Sequence, residues 1–269
     1  MGIVYAISAN KGGVGKTSFV TNLAAAIVLK KPKARVLIVD TDAQGNAALA
    51  FGKTPKSFEN TIYEVMAGGE SIEAVRINLM DRLDLVPSNV DMDFLDFDVL
   101  TNQDRYKRPF NLLQEPLERI RAQYDYIFID TPPAMGLVAG NVLVAADRVI
   151  VPFAPETFAV AGIVRVLEAI NDFKEKQNSA LQIDGMVGMM VDSRTVLHSE
   201  MLAQARKYCH ENGYHLYETI IPRSIRFAAS TAYEGKPAVL SDSDNHIVAA
   251  YFKLMTEVLE HGEKRTQIG

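Results

Sequence analysis

The stretch Asn10-Lys11-Gly12-Gly13-Val14-Gly15-Lys16-Thr17-Ser18 decides how the rest of this chain is read. It follows a short apolar run, Ile3–Ser8, and leads into a helical pattern over Lys16–Leu29. Strand, glycine loop, Lys-Thr and helix in that order make a cradle for phosphate. Glycines let backbone N–H groups turn inward with no Cβ in the way. A helix N-terminus adds its dipole and its free N–H groups. Lys11, Gly12, Gly13, Val14, Gly15, Lys16, Thr17 and Ser18 are therefore the expected phosphate-binding set, with ATP and Mg²⁺ as the expected ligands. Lys16 is expected at the β- and γ-phosphates and the Thr17 hydroxyl on Mg²⁺. The loop departs from the plain G-x-x-x-x-G-K-[ST] pattern, because Asn10 takes the first glycine position and Lys11 follows it.

Outward from this loop, short β-rich runs alternate with longer amphipathic segments. Ile3–Ser8, Val36–Val39, Leu83–Val86, Tyr126–Ile129, Arg148–Pro152 and Gly185–Val191 read as strands. Several are apolar on both faces, as a parallel sheet covered on each side requires. Helical patterns fall at Lys16–Leu29, Thr61–Ala67, Phe110–Gln123, Ala159–Lys174, Ser199–Asn212 and Asn245–Glu260. Phe51–Asn60 and Asn102–Pro109 read as loops. The expected fold is α/β: a single doubly wound domain over residues 1–269, with a mostly parallel β-sheet and helices on both faces, of the P-loop NTPase kind.

Two of the strands end in acids. Val36-Leu37-Ile38-Val39-Asp40 runs into Thr41-Asp42-Ala43-Gln44-Gly45-Asn46. Carboxylates at the carboxyl end of a strand beside the phosphate loop face the nucleotide. In an extended stretch Asp40 and Asp42 point the same way. Asp40 is expected to support the metal shell. Tyr126-Ile127-Phe128-Ile129-Asp130-Thr131-Pro132-Pro133 ends likewise, and Asp130 is expected to hold Mg²⁺ through water. Phosphoryl transfer asks the protein for positioning and charge neutralisation more than covalent chemistry.

The second lysine ahead of Gly12-Gly13 and the Asp130-Thr131-Pro132-Pro133 turn resemble the deviant Walker A ATPases, and the chain resembles their ParA-type (Soj-like) DNA partition branch over almost its entire length. Thr61-Ile62-Tyr63-Glu64-Val65, Leu85-Val86-Pro87-Ser88-Asn89 and Val151-Pro152 through Glu156 look like that branch as well. The resemblance implies that Lys11 reaches across a nucleotide-sandwich homodimer to the partner's ATP. It implies that Asp42 orients or activates the attacking water, which makes Lys11, Lys16 and Asp42 the expected catalytic residues. Pro222 is implied in the adenine pocket, and Arg223 and Arg226, together with Arg194 and Lys236, on a DNA-facing surface. Further implications are non-specific DNA binding by the ATP dimer, a ParB-like centromere-binding partner that stimulates hydrolysis, and a cytoplasmic, nucleoid-associated location. Ala43 stands where the family usually has proline, and Ala228–Pro237 departs from its usual Glu-Ala-Pro-Ser stretch.

Composition narrows the alternatives. The 269 residues carry a formal net charge of -5, which argues against indiscriminate nucleic-acid binding and leaves room for a local basic patch. Between Arg194 and Lys236 there are six Lys/Arg and four Asp/Glu. Cys209 is the only cysteine, so a cysteine-held cluster or a disulfide within one chain is excluded. No apolar run approaches the ~20 residues of a membrane span, and the N-terminus does not read as a signal peptide. A membrane-positioning relative resembling MinD needs an amphipathic tail. The stripe Ile247, Val248, Phe252, Met255 and Leu259 reads better as a core-packing face, so no stable membrane association is expected. The chain starts directly on its first strand, and no N-terminal helix-turn-helix is expected.

Overall fold

The computed structural model describes residues 1–9 and 11–268, with side chains as far as Lys264; Asn10, noted above in the first glycine position, lies outside the described residues. The strands are β1 (Ile3–Ile7), β2 (Val36–Asp40), β3 (Ile77–Met80), β4 (Leu83–Val86), β5 (Tyr126–Asp130), β6 (Arg148–Phe153) and β7 (Gln182–Gly188). They form one sheet in the order β3-β4-β2-β5-β1-β6-β7. Every neighbouring pair is parallel except β3 with β4. The helices are α1 (Lys16–Lys30), α2 (Asn46–Ala50), α3 (Ile72–Val75), α4 (Leu95–Thr101), α5 (Gln114–Ile120), α6 (Leu137–Ala145), α7 (Ala159–Lys176), α8 (Val196–Glu211), α9 (Ile225–Ala229), α10 (Ala238–Ser241) and α11 (Ala249–Ile268).

The central strands are buried on both faces because successive side chains alternate across the sheet. Val4 and Ala6, Leu37 and Val39, and Ile127 and Ile129 enter one core, with α4, α5, α6 and α7. Tyr5 and Ile7, Val36 and Ile38, and Phe128 enter the other, with α1, α10 and α11. Helix α1 is buried almost all round: Phe19, Val20, Leu23, Ala24, Ala26 and Ile27 have no accessible surface. The stripe read on the last helix is a packing face, with Val248, Met255 and Leu259 buried in the same core as α1.

The structure departs from the sequence expectation in several places. Helix α6 was not expected: its residues are all buried, so no polar face marks the helical period. Strand β3 is a short edge strand with no fully buried side chain: Ile77, Leu79 and Met80 are half-buried and Asn78 is exposed. Thr61–Ala67 is not a regular α-helix. The Glu64 carboxylate accepts the Thr61 N–H, and a wider π-type turn runs over Glu64–Gly68. The Phe110–Gln123 helix contracts to α5 and a 3₁₀ turn over Arg121–Gln123. Strand β7 lies earlier than expected and stops at Gly188, just before Met190 takes a positive φ of 52°.

Candidate functional site

The site lies at the carboxyl ends of β1, β2 and β5, the adjacent central strands. Their ends are laced together. The Thr41 hydroxyl donates to the Asp130 carbonyl at 2.7 Å, and the Thr131 hydroxyl donates to the Ile7 carbonyl at 2.7 Å. The loop after β1 enters α1 through Gly15, whose φ of 87° suits glycine; a Cβ there would also stand 3.2 Å from the Met189 methyl. Gly13 needs the same freedom, at φ 75°. Val14 is buried against Ala9 and Ala154.

Lys16 is buried at the first turn of α1, and burial lowers its pKa against the opposing pull of Asp130 and Asp42. The Thr17 hydroxyl donates to Asp130 Oδ2 at 2.5 Å. Asp130 has no accessible surface, and its Oδ1 has no hydrogen-bond partner among the described residues. Burial pushes the Asp130 carboxyl up to about 7, while the Thr17 hydroxyl and the Lys16 ammonium pull it down. The Ser18 hydroxyl turns toward the core instead, 3.0 Å from the Tyr251 hydroxyl, leaving its backbone to the phosphate loop.

Asp40 sits in register with Asp130 on the neighbouring strand. It does not share the orientation of Asp42, because the chain leaves the extended conformation at Thr41 and wraps around the Asp40 carboxylate. One Asp40 oxygen accepts the Asp42 N–H and the other the Ala47 N–H, each at 3.0 Å. Complete burial, with Asp130 beside it, raises its pKa well above the usual carboxylate range. Asp40 thus holds the loop that presents Asp42. Asp42 lines a cavity of about 610 Å³ with Gly12, Gly13, Lys16, Thr17, Pro132 and Pro133.

Lys11 is at the outer lip, its side chain 63% exposed, and its ammonium pairs with Glu156 in the loop after β6. That ammonium holds the Glu156 carboxyl below its usual value, and Arg223 adds to the effect. Arg223 therefore stands on the phosphate-loop side of the molecule. Pro222 lies beyond β7 on an isolated parallel bridge to Val191. Two of the other basic candidates are engaged: Arg194 pairs with Asp192, and Arg226 with Asp242. Arg206 and Lys207 pair with Glu218 and Glu211. Among the described residues Arg223 and Lys236 form no ion pair. The local excess of positive charge is thus largely offset on the surface. Sequence reasoning missed Glu156 as the partner of Lys11. It lies 145 positions away, and only the adjacency of β1 and β6 brings the two together.

The AAA_31 family model, described as an AAA domain, matches residues 2–183. The chain is 32% identical to the sporulation initiation inhibitor protein Soj of Bacillus subtilis over 263 residues, covering 97% of this chain and 100% of that one. It is 34% identical to the chromosome partitioning protein ParA of Myxococcus xanthus over 261 residues, covering 97% and 89%. Among solved structures, cobyrinic acid a,c-diamide synthase from Mycobacterium smegmatis, with bound ADP and magnesium, superposes with a TM-score of 0.81. The identity there is 27%, covering 98% of this chain and 96% of that one. A family model that spans the phosphate loop and both acid-ended strands, with relatives matched along nearly their whole length, agrees with the geometry: the chain belongs to the ParA/Soj family of partition ATPases.

Proposed function

We propose that residues 1–269 act as one ATPase domain that dimerises with ATP, binds DNA without sequence preference and drives partition of a plasmid or chromosome. The observation that carries the nucleotide part is the unpartnered Oδ1 of fully buried Asp130 beside Thr17 and Lys16. A buried polar atom without a partner is costly, and a metal shell would satisfy it. Thr17 and Asp130 would hold Mg²⁺, Asp130 through water, with Asp40 supporting the shell from behind by fixing the loop over residues 41–47. Bound Mg²⁺ supplies charge neutralisation at the phosphate oxygens. The backbone of Gly12–Ser18 would wrap the phosphates, Lys16 would balance their charge, and Asp42 would orient the attacking water. Pro222 would border the adenine.

Dimerisation is supported by the exposed lip. Lys11 reaches outward there, and Phe158, at the start of α7, is 80% exposed with a φ of 71°. Lys11 would exchange Glu156 for the partner's nucleotide. The DNA surface would use Arg194, Arg223, Arg226 and Lys236. Ion pairs open to solvent are weak, so a phosphate can displace Asp192 or Asp242. A ParB-like centromere-binding protein would stimulate turnover, and the protein would work in the cytoplasm on the nucleoid. Among the described residues no helix is long and apolar enough to cross a membrane.

The test is a fluorescence-anisotropy titration of two unrelated duplexes at several salt concentrations, with ATP analogue, with ADP and without nucleotide. The expected result is equal binding of both duplexes in the ATP state alone, with a steep salt dependence. Weak, equal signals in every state remove the DNA part. Phosphate release, measured separately, tests the ATPase part.

A further inference from the structure

Several glycines of this chain take a positive φ. At Gly13, Gly69 and Gly213 the space where a Cβ would stand is open. At Gly52 and Gly235 each has the other's backbone there. A Cβ on Gly235, at φ 58°, would stand 2.9 Å from the Gly52 Cα, and one on Gly52, at φ 68°, 3.2 Å from the Gly235 carbonyl oxygen. Carbon atoms in contact lie about 3.5–4.0 Å apart. An asparagine can supply a positive φ, but only two glycines let these two backbones meet.

Each glycine ends a short, well-held piece of chain. Gly52 follows α2, and the Phe51 and Gly52 N–H groups donate back to the Ala48 and Leu49 carbonyls, at 3.0 Å each. At the other end of α2, about 8 Å away along the helix, Asn46 lines the same cavity as Asp42. The next residue, Ala47, donates its N–H to the Asp40 carboxylate, and Ala47 and Ala48 have no accessible surface. Gly235 closes an arm made of α9 and a π-type turn over Ser230–Glu234. That arm is anchored from behind. Ser230, Ala238 and Val239 have no accessible surface, and the Val239 N–H donates to Asn22 of α1 at 3.2 Å.

Close-packed interiors transmit strain instead of absorbing it. With the arm anchored on α1, a push at Gly235 moves Gly52, and with it α2 and the loop around Asp40. We infer that Gly52 and Gly235 are positioning residues for hydrolysis: their backbone contact makes α2 a strut that holds the Asp42 loop in place over the cavity. Neither glycine lines that cavity. The contact is one-sided, because a side chain on Gly235 meets the Gly52 Cα more closely than one on Gly52 meets the Gly235 carbonyl. The effect on turnover rests on the proposed role of Asp42; the contact itself does not.

The experiment compares the full chain with Gly235→Ala, the milder Gly52→Ala, the double variant, and Gly213→Ala. The last adds the same methyl at a φ of 71° into open space, so it carries the backbone strain without the contact. Amide hydrogen exchange of the nucleotide-free proteins is read first. Gly235→Ala should speed exchange at Ala47 and Phe51 at least tenfold, Gly52→Ala less, and Gly213→Ala less than twofold, with the β5 amides unchanged in all. The double variant should fall short of the product of the two, since both methyls contest one contact. Phosphate release and ATP-analogue affinity are then measured on the same preparations. Gly235→Ala should lower release at least tenfold with affinity within threefold. Unchanged exchange at Ala47 and Phe51 in both single variants overturns the inference, and so does the same acceleration in Gly213→Ala. A loss of affinity parallel to the loss of release overturns the positioning role. Absence of phosphate release from the parent defeats the ATPase reading and the positioning role with it, while the exchange rates still decide the strut.

Discussion

The Thr17 hydroxyl donates to Asp130 Oδ2, while the carboxylate's other oxygen has no hydrogen-bond partner among the described residues. With Asp130 raised to about 7, the folded, metal-free chain keeps this proton while an unfolded chain loses its own near pH 4. Between these values the folded state holds the extra proton, so stability falls as pH rises from about 4 to about 7. Asp130→Asn, neutral and of the same shape, escapes that loss. In the presence of EDTA the variant should melt at least ~5 °C higher than the parent at pH 8 and level with it near pH 4. Parallel melting curves across the whole range would remove the raised carboxyl.

The two lysines of the loop should separate cleanly. Lys16 is buried against the cavity and Lys11 is tied to Glu156 at the lip. Lys16→Ala should abolish triphosphate binding. Lys11→Ala should retain nucleotide binding within a few-fold and lose the ATP-dependent dimer. Sedimentation with a nonhydrolysable analogue reads both, and an intact Lys11→Ala dimer ends the cross-subunit assignment.

Asp42→Ala should bind ATP and dimerise as the parent does, with phosphate release lowered at least a hundredfold. The Asp42 carboxylate accepts only the Gln44 N–H at 3.1 Å within its own loop, so its loss leaves the Asp40 contacts in place. Nucleotide binding and phosphate release are measured on the same preparation. Near-normal release removes Asp42 from the chemistry.

Gly45 closes the loop around Asp40 with a φ of 62°, and an added Cβ would stand 2.7 Å from the Pro55 ring and 2.8 Å from the Ser88 carbonyl. Gly45→Ala should cost about 3 kcal/mol in denaturant unfolding. A loss below ~1 kcal/mol would mean that the loop can move aside.

The phosphate loop was legible because everything it needs is local: a strand, two glycines at positive φ, Lys16-Thr17 and a helix start. The acid-ended strands were legible for the same reason. The jobs of the acids were only half legible. Asp40 and Asp42 share a side in an extended chain, but the loop curls back so that its own N–H groups meet Asp40, and alternation along a strand carries no sign of that. Glu156 could not be found because its partner is set by strand order rather than by spacing. Helix α6 left no periodic signal because it is buried on every face. The resemblance to partition ATPases supplied what spacing could not, the family, and the basic surface it implied is largely paired with carboxylates.

The helix that carries Lys16 and Thr17 is walled in by the other end of the chain. The Asn22 side chain accepts the Val239 N–H at 3.2 Å, Ser18 meets Tyr251, and Leu254, Val258 and Leu259 complete the same core. During synthesis the phosphate loop thus emerges more than two hundred residues before the wall that seats it. A nascent chain carries its loop early and cannot finish the site until α11 is made. A chain ending between Pro133 and Tyr251 carries the phosphate loop and both acid-ended strands but lacks the side chains that pack against α1.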